Sequence, residues 1–152
     1  MDNRILFLQF RTDESEAHET ACLLKNLPEI ENQLEVLNVL RHPEKIEDTI
    51  NRLADYDKVI IGVHSQGGFS QNCQDSVVTQ TDDAVFPLVK SLIDADRPVL
   101  GICLGMGIIA KALGGEIVDQ SASRGEVGSV NVYLSEEGKS DRYFSQLADN
   151  FI

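Results

Sequence analysis

The sequence has no apolar run close to the roughly 20 residues that a membrane-spanning helix requires. Its N-terminus also lacks the basic stretch and long apolar region of a secretory signal peptide. Basic residues are scarce: 13 Lys and Arg stand against 25 Asp and Glu, and the formal net charge is -12. This charge repels phosphate backbones and anionic lipids. We therefore expect a cytoplasmic protein that binds neither nucleic acid nor membrane surfaces.

Cysteine is also scarce, and the three thiols belong to Cys22, Cys73 and Cys103. Their odd number and their lack of metal-ligand spacing argue against a disulfide framework and against a metal site. Cys22 falls among the apolar positions of a helical stretch and is expected to be a small buried side chain, whereas Cys73 is expected to be an incidental surface thiol. Only Cys103 has a special setting.

Short apolar runs alternate with helical patterns along the chain. The runs are typical of strands buried on both faces, and the helical patterns place apolar side chains on one helix face. In chain order, the predicted elements are a strand at 5–8, a helix at 15–27, a strand at 34–40, a helix from about 43, a strand at 59–61, a polar loop from 64 to about 82, a helix at 84–93, a strand at 99–102 and a helix at 104–113.

This alternation predicts an α/β fold with a doubly wound, mostly parallel sheet between two layers of helices, because right-handed crossovers permit little else. With 152 residues and 42% hydrophobic composition, the chain is long enough for one packed core and short for two. We therefore expect a single domain over residues 1–152.

The end of the chain has a different pattern. Residues 130–134 alternate like a half-exposed strand, 136–138 read as a turn, and 143–147 form a short helix at most. The sequence stops at Ile152, where a further strand would begin, which would leave part of the sheet and core uncovered. We expect either a C-terminally incomplete domain or one that associates with a partner.

The segment Gly101-Ile102-Cys103-Leu104-Gly105 takes a buried strand directly into a helix. The residue at such a corner adopts a strained backbone, and a Cβ at 101 or 105 would crowd the neighbouring strand or the helix start. The Cys103 thiol would then lie at a helix N-terminus, which favours the nucleophilic thiolate. The Leu104 backbone N–H would face the same space, where it could donate to an oxyanion. The alternative is a tight turn that holds a buried cysteine.

This segment carries a resemblance to a known family. Residues 98–106, followed by 110–115, resemble the nucleophile elbow and the next helix of the class I glutamine amidotransferases. The resemblance continues weakly through 125–128, 133–138 and 144–147, so it covers most of the chain from about residue 57. It implies a flavodoxin-like fold and a reaction in which Cys103 attacks the side-chain amide of glutamine, releases ammonia and forms a thioester that water converts to glutamate. Leu104 would supply one oxyanion N–H.

The chain departs from the family pattern at three places. The family's catalytic histidine and glutamate come from a segment beyond Ile152. The glutamine that helps to hold the substrate is replaced by Gly107, which leaves Met106 as the candidate for substrate contact. In the loop after the third strand, His64 takes the position of the glycine that completes the oxyanion hole, although Gly67 or Gly68 could serve if the loop is longer.

His64 has two interpretations. Its strand end should lie beside the Cys103 strand, at the sheet edge where doubly wound proteins bind ligands, so its imidazole could act as a base toward Cys103. Alternatively, it is a polar loop histidine beside the site, and we favour this interpretation because imidazole has ordinary uses on loops.

Two tempting patterns lack a function. Gly67 and Gly68 do not make a phosphate loop, because no Gly-Lys-Ser/Thr ending follows. The acidic clusters at 13–16 and 82–83 are typical of helix caps and solvated charges. We expect neither a metal nor another cofactor.

Three functions remain open at this point. The first is a glutamine-hydrolysing domain that delivers ammonia to a partner synthase, with L-glutamine as substrate and with the synthase or a second copy of the chain covering the open C-terminal side. The second is a binding or regulatory module that keeps the scaffold without the chemistry, since a nucleophile without its base loses several orders of magnitude in rate. The third is an elbow-cysteine hydrolase related to peptidases and stress proteins of similar fold.

Overall fold

A computed structural model gives the structure of the protein and describes residues 3–64, 76–116, 129, 131–147 and 150–151. Within these ranges, the side chains of residues 64, 76–84 and 150–151 are not described. Cys73, Gly67 and Gly68 therefore lie outside the described residues. The chain divides into two compact units, Met1–Val118 and Asp119–Ile152, and each is treated by itself.

Four parallel strands form the sheet of the first unit. They are β1 (Ile5–Phe10), β2 (Leu34–Asn38), β3 (Lys58–His64) and β4 (Val99–Gly101), in the order β2-β1-β3-β4. Ile5 of β1 lies opposite Leu34 of β2 and Lys58 of β3. The chain therefore winds outward from β1 in both directions, and this confirms the predicted doubly wound parallel sheet.

Among the described residues of this unit, a helix follows each strand: α1 (Ser15–Asn26), α2 (Ile46–Asn51), α3 (Ser76–Asp94) and α4 (Leu104–Ala112). Short 3₁₀ helices are found at Pro28–Gln33, Pro43–Lys45 and Leu53–Asp55. Every strand and helix expected here is present, with ends displaced by a few residues except at α3. Among the helices that the structure describes, none is both long and apolar enough to cross a membrane.

The start of α3 was predicted wrongly. The expected polar loop to about Asp82 and a helix from Ala84 are replaced by a helix that already begins at Ser76. Pro87 favours a start just before it, because proline is tolerated in the first helical turn, yet here Pro87 lies inside the helix. Polar residues do not prevent helix formation, because the helical hydrogen bonds join backbone groups alone.

Apolar side chains pack on both faces of the sheet. Because successive strand residues point to opposite faces, each strand serves two cores. One core joins the sheet to α2, α3 and α4 and includes Leu6, Leu8, Ile46, Val59, Ile61, Leu88, Leu92 and Ile108. The other joins it to α1 and the first 3₁₀ helix and includes Ile5, Phe7, Leu23, Leu24, Ile30 and Ile60. The unit thus has the three layers predicted from the sequence.

Part of the sheet face on the α1 side remains exposed. Leu100 of β4 lies opposite Ile60 of β3 in the parallel register, so both point to this face. Ile60 is buried, whereas Leu100 is 54% exposed and Ile102 is 39% exposed. Leu100 and Ile102 therefore form an exposed apolar area on this face.

The second unit is small. It contains β5 (Val132–Tyr133), which pairs antiparallel with β6 (Asn150–Phe151), together with α5 (Glu136–Ser140) and a 3₁₀ helix at Phe144–Gln146. The turn predicted at 136–138 is instead the first turn of α5. Gly138 suggested a turn, but the Ser135 hydroxyl caps the helix by accepting the Gly138 N–H at 3.1 Å.

Candidate active site

The passage from β4 to α4 forms a sharp corner at Cys103. The strand ends at Gly101 and the helix begins at Leu104, so only Ile102 and Cys103 lie between them. Cys103 has φ 53° and ψ -104°. Among the described non-glycine residues, only Asp96 shares a positive φ. Such a backbone costs about 1–3 kcal/mol and persists only where the surroundings impose it. The predicted strained turn is confirmed.

The two glycines allow this corner to pack closely. A Cβ on Gly101 would lie 2.6 Å from the Gly105 carbonyl carbon and 2.7 Å from Cδ1 of Ile109. A Cβ on Gly105 would collide with the backbone oxygen of Ile61 in β3 and come within 3.0 Å of the Ile61 Cβ. The crowding expected at both positions is therefore present, and it fixes α4 against β3.

Backbone hydrogen bonds hold the corner on both sides. The Ile102 N–H donates to the Ile61 carbonyl at 2.9 Å, which extends the β3–β4 ladder by one residue. The N–H groups of Gly105 and Met106 donate to Ile102 and Cys103 carbonyls, each at 3.0 Å. The Leu104 N–H has no acceptor within the described part of the chain. It is therefore available to a ligand beside Cys103.

Cys103 is exposed and does not lie in apolar packing. It is the N-cap residue of α4, with its side chain at the end of the helix where backbone N–H groups lack intrahelical partners. Met106, in the first turn of α4, is 63% exposed, while Gly107 is half-buried. These exposures leave Cys103 and Met106 both accessible to a small molecule.

His64 lies at the carboxyl end of β3, and the carboxyl end of the neighbouring β4 leads to Cys103. Its backbone lies opposite Phe10 of β1, three residues after Ile61, which pairs with Gly101 of β4. Because β3 and β4 are parallel neighbours, the chain leaves the sheet on the same side at His64 and at Cys103. The imidazole falls outside the described side chains, and its role as a base toward Cys103 stays a hypothesis.

A carboxylate that the sequence analysis missed lies beside this edge. Glu19 of α1 accepts the Val63 N–H through Oε1 at 2.7 Å, and its side chain is only 12% exposed. Arg11 lies next to it, with Nε 3.4 Å from Glu19 Oε2. The only signal in the sequence is that Glu19 precedes Leu23 by one helical turn, on the face of α1 that packs against the sheet.

The same side of the sheet carries a cleft of about 350 Å³ that reaches from α1 to Ile102. Cys22 borders it, and the expectation that Cys22 is buried is wrong: it is exposed, with Sγ 3.3 Å from Nε2 of His18. No residue of α1 is fully buried, and its apolar packing against the sheet is made by the partly buried Leu23 and Leu24.

A cluster of charged side chains around Tyr56 lies at the opposite end of the strands. Glu35, near the start of β2, accepts hydrogen bonds from Tyr56 Oη at 2.7 Å and from Arg4 at 2.6 Å. Burial would raise the pKa of Glu35, but these hydrogen bonds outweigh it and hold the pKa below its usual value. Burial and the bond to Glu35 raise the pKa of Tyr56 to about 12. This cluster stabilises the fold away from Cys103.

Comparison with known proteins identifies the family. The model of the class I glutamine amidotransferases matches residues 19–152, which include the Cys103 corner and all of α4. The chain belongs to this family. No solved structure matches the chain. The glutamine amidotransferase-like domain is therefore established, and the alternatives of a binding module and a peptidase-related hydrolase are not favoured.

Several curated relatives of this amidotransferase domain are synthases or parts of synthases. One subunit of the glutamine-hydrolysing GMP synthase from Sulfurisphaera tokodaii is 36% identical over 99 residues, which are 65% of this chain and 45% of that protein. The corresponding subunit from Methanococcus maripaludis is 44% identical over 45 residues, or 30% of this chain and 23% of that protein. The GMP synthase of Bacillus licheniformis is 36% identical over 62 residues, or 41% of this chain and 11% of that protein. The matches thus span less than half the length of each relative.

Proposed function

We propose that this domain hydrolyses L-glutamine and that Cys103 is its nucleophile. The Cys103 sulfur attacks the side-chain amide carbon of glutamine, ammonia leaves, and water hydrolyses the resulting thioester to glutamate. One observation carries the proposal: an exposed thiol stands on a strained corner, fixed by two glycines, beside a backbone N–H without an acceptor among the described residues.

Each neighbour of Cys103 receives a role in this proposal. The Leu104 N–H stabilises the oxyanion that forms when the sulfur attacks. The backbone N–H of His64 is the candidate for a second donor, and Met106 is the candidate for contact with the substrate chain. Metals and other cofactors have no part in this chemistry.

We further propose that the ammonia passes to a synthase partner in the cytoplasm. Support comes from the names of the relatives, which are glutamine-hydrolysing synthases or their subunits. The exposed apolar area at Leu100 and Ile102 is a surface that a synthase or a second copy of this chain would cover.

The direct test measures glutamate release from L-glutamine by wild type and by Cys103→Ala. We expect release by wild type only, and a loss of at least about 10³-fold in the variant, because no other group replaces the thiolate. In parallel, a chloroketone analogue of glutamine should label Cys103, and mass spectrometry should locate the adduct. Cys22→Ser is the matched control, and its labelling at Cys103 should equal that of wild type. Absence of both glutamate release and Cys103 labelling would refute the proposal.

The base toward Cys103 is tested separately. Alkylation of Cys103 is followed as a function of pH in wild type and in His64→Ala. A base at His64 predicts that the substitution shifts the profile to higher pH, because a neighbouring imidazole promotes thiolate formation. Identical profiles would show that His64 has no such role.

A further inference from the structure

Glu19 joins two parts of the chain that are distant in sequence. Its Oε1 accepts the backbone N–H of Val63, 44 residues away, at 2.7 Å. The side chain is 12% exposed, so this contact is largely shielded from water. A hydrogen bond from a backbone amide to a carboxylate is stronger than one between neutral groups. The steps assigned to Cys103 and Leu104 do not use this carboxylate.

The contact coincides with an irregularity in the sheet. Leu8 of β1 pairs with Ile61 of β3, but the next pair joins Phe10 to His64. The pairing advances by two residues on β1 and by three on β3, so β3 contains one extra residue between Ile61 and His64. Such a bulge leaves one residue outside the ladder, with its backbone groups in need of other partners. Glu19 supplies the acceptor for one of them at Val63.

Gly62 gives the carboxylate its space. A Cβ at Gly62 would lie 2.7 Å from Glu19 Oε1 and 2.8 Å from the Phe7 ring. Any larger residue would displace either the carboxylate or the ring. Arg11 supports Glu19 from the other side, with Nε 3.4 Å from Oε2, and Arg11 itself donates through Nη1 to the Ser15 hydroxyl at 2.5 Å. The carboxylate is thus held between a guanidinium and a backbone amide.

The bulge lies next to the Cys103 corner. Ile61, just before it, accepts the Ile102 N–H at 2.9 Å and forms the surface on which Gly105 packs. His64, just after it, leaves the sheet on the strand beside that of Cys103. The extra residue in β3 shifts the position of every backbone group that follows it toward the carboxyl end of the strand. A shift of about 1 Å in a catalytic group is enough to reduce a rate by about 10²-fold.

We propose that Glu19 is a positioning residue of this amidotransferase. Its carboxylate stabilises the bulge at Gly62 and Val63 and thereby sets the place at which the His64 backbone leaves β3 beside Cys103. The structural half of this proposal concerns Val63 alone. The catalytic half rests on the proposed glutamine hydrolysis, so the two are tested by separate measurements.

The first measurement is amide hydrogen exchange at Val63, followed by NMR in the full chain. Glu19→Gln keeps an oxygen at the same reach, while Glu19→Asp keeps the charge but is one methylene too short. We expect Glu19→Asp to lose about 10-fold of the Val63 protection, because the shortened carboxylate no longer reaches the amide and a hydrogen bond to a charged group contributes at least about that factor. Glu19→Gln should lose less, within about 3-fold, because its amide oxygen still accepts a hydrogen bond, although a weaker one without the charge. Equal protection in Glu19→Asp and wild type would overturn the proposal.

The second measurement compares two reactions of Cys103. Iodoacetamide reports only the accessible thiol, whereas the chloroketone analogue of glutamine also requires the neighbouring backbone donors. In Glu19→Asp we expect the chloroketone rate to fall about 10-fold while the iodoacetamide rate changes less than about 2-fold. In Glu19→Gln we expect a chloroketone rate close to that of wild type. A merely structural role would lower both rates together or neither, and either result would overturn the catalytic half.

Controls separate the possible failures. Glu31 is exposed in the 3₁₀ helix Pro28–Gln33, and Glu31→Asp and Glu31→Gln should match wild type in both measurements. If wild type neither reacts with the chloroketone nor releases glutamate, the proposed glutamine hydrolysis fails, while Val63 exchange still decides whether Glu19 holds the bulge. If Glu19→Gln loses protection and Glu19→Asp keeps it, charge rather than reach matters, and the positioning role is refuted.

Discussion

Replacement of Gly105 by alanine tests the packing on which the Cys103 corner depends. The added methyl would meet the backbone oxygen of Ile61 at less than any real contact distance and would lie 3.1 Å from the Ile61 carbonyl carbon. Both atoms belong to the backbone of β3, which is held between β1 and β4. Neither can move aside as a flexible side chain would, so α4 itself has to shift.

The expected loss of stability is about 3 kcal/mol. Overpacking against rigid neighbours costs up to about 3 kcal/mol. Displacement of α4 also weakens the bond from Ile102 N–H to the Ile61 carbonyl, which is worth about 1 kcal/mol. The higher helix propensity of alanine over glycine offsets about 1 kcal/mol of this loss. For a chain of this size, the net change corresponds to a fall in melting temperature of roughly 10 °C.

Urea and thermal unfolding, followed by circular dichroism, measure this change. Gly138→Ala is the matched control, because its methyl would meet atoms no closer than 3.6 Å within the short helix α5. The control should keep or slightly raise stability. Labelling of Cys103 by the glutamine chloroketone should also slow in Gly105→Ala, since the helix start and the Leu104 N–H move together.

If Gly105→Ala were as stable as Gly138→Ala, the close approach of α4 to β3 would not constrain the corner. Close packing would then not explain the glycines at 101 and 105. If Gly105→Ala lost stability without any change in Cys103 labelling, the packing of α4 on β3 would not control the reactivity of Cys103.

Two further predictions concern the strained backbone and the charged cluster. Cys103→Gly should be about 1 kcal/mol more stable than Cys103→Ala in urea unfolding. Glycine relieves the strain of the positive φ, and this gain outweighs the larger conformational entropy that glycine loses on folding. Equal stability of the two variants would argue against strain at this position. Tyr56→Phe should lose about 1 kcal/mol near neutral pH, the modest value reflecting the half-exposed Glu35 partner. The pKa of Tyr56 is raised from 10.0 to about 12, so the tyrosine's contribution is complete below pH 10 and is lost as pH rises through 12. The pKa of Glu35 is lowered in the folded protein. Its ionised carboxylate therefore stabilises the fold at pH values above the ordinary pKa of glutamate, and this stabilisation is lost as the pH falls through the lowered pKa. A Tyr56→Phe stability difference that is unchanged between neutral pH and pH 12 would contradict this assignment.

The parallel sheet and the Cys103 corner were predictable because local signals agree there with the global fold. The run Val99–Ile102 is apolar and short, and the glycines at 101 and 105 have spacing that only a close strand-to-helix turn explains. The positive φ of Cys103 and the crowding at both glycines follow from that spacing. The continuous apolar stretch in β1 likewise indicates burial on both faces, and all six of its residues are buried.

Other features depend on contacts between distant segments and were not predictable. The bond from Glu19 to Val63 spans 44 residues and lies where the pairing of β1 with β3 is irregular. Cys22 occupies an apolar position in the helical pattern, yet its exposure is set by how much of the sheet α1 covers. The helix α3 begins at Ser76, eight residues before the start that was predicted at Ala84.

The central place of β1 has a consequence during synthesis. This strand leaves the ribosome before both of its neighbours, Leu34–Asn38 and Lys58–His64. Until both have emerged, six consecutive residues destined for the interior of the sheet have unpaired backbone edges in water, which favours aggregation. Slow translation between β1 and β3 should therefore lengthen the interval in which a nascent chain needs a chaperone.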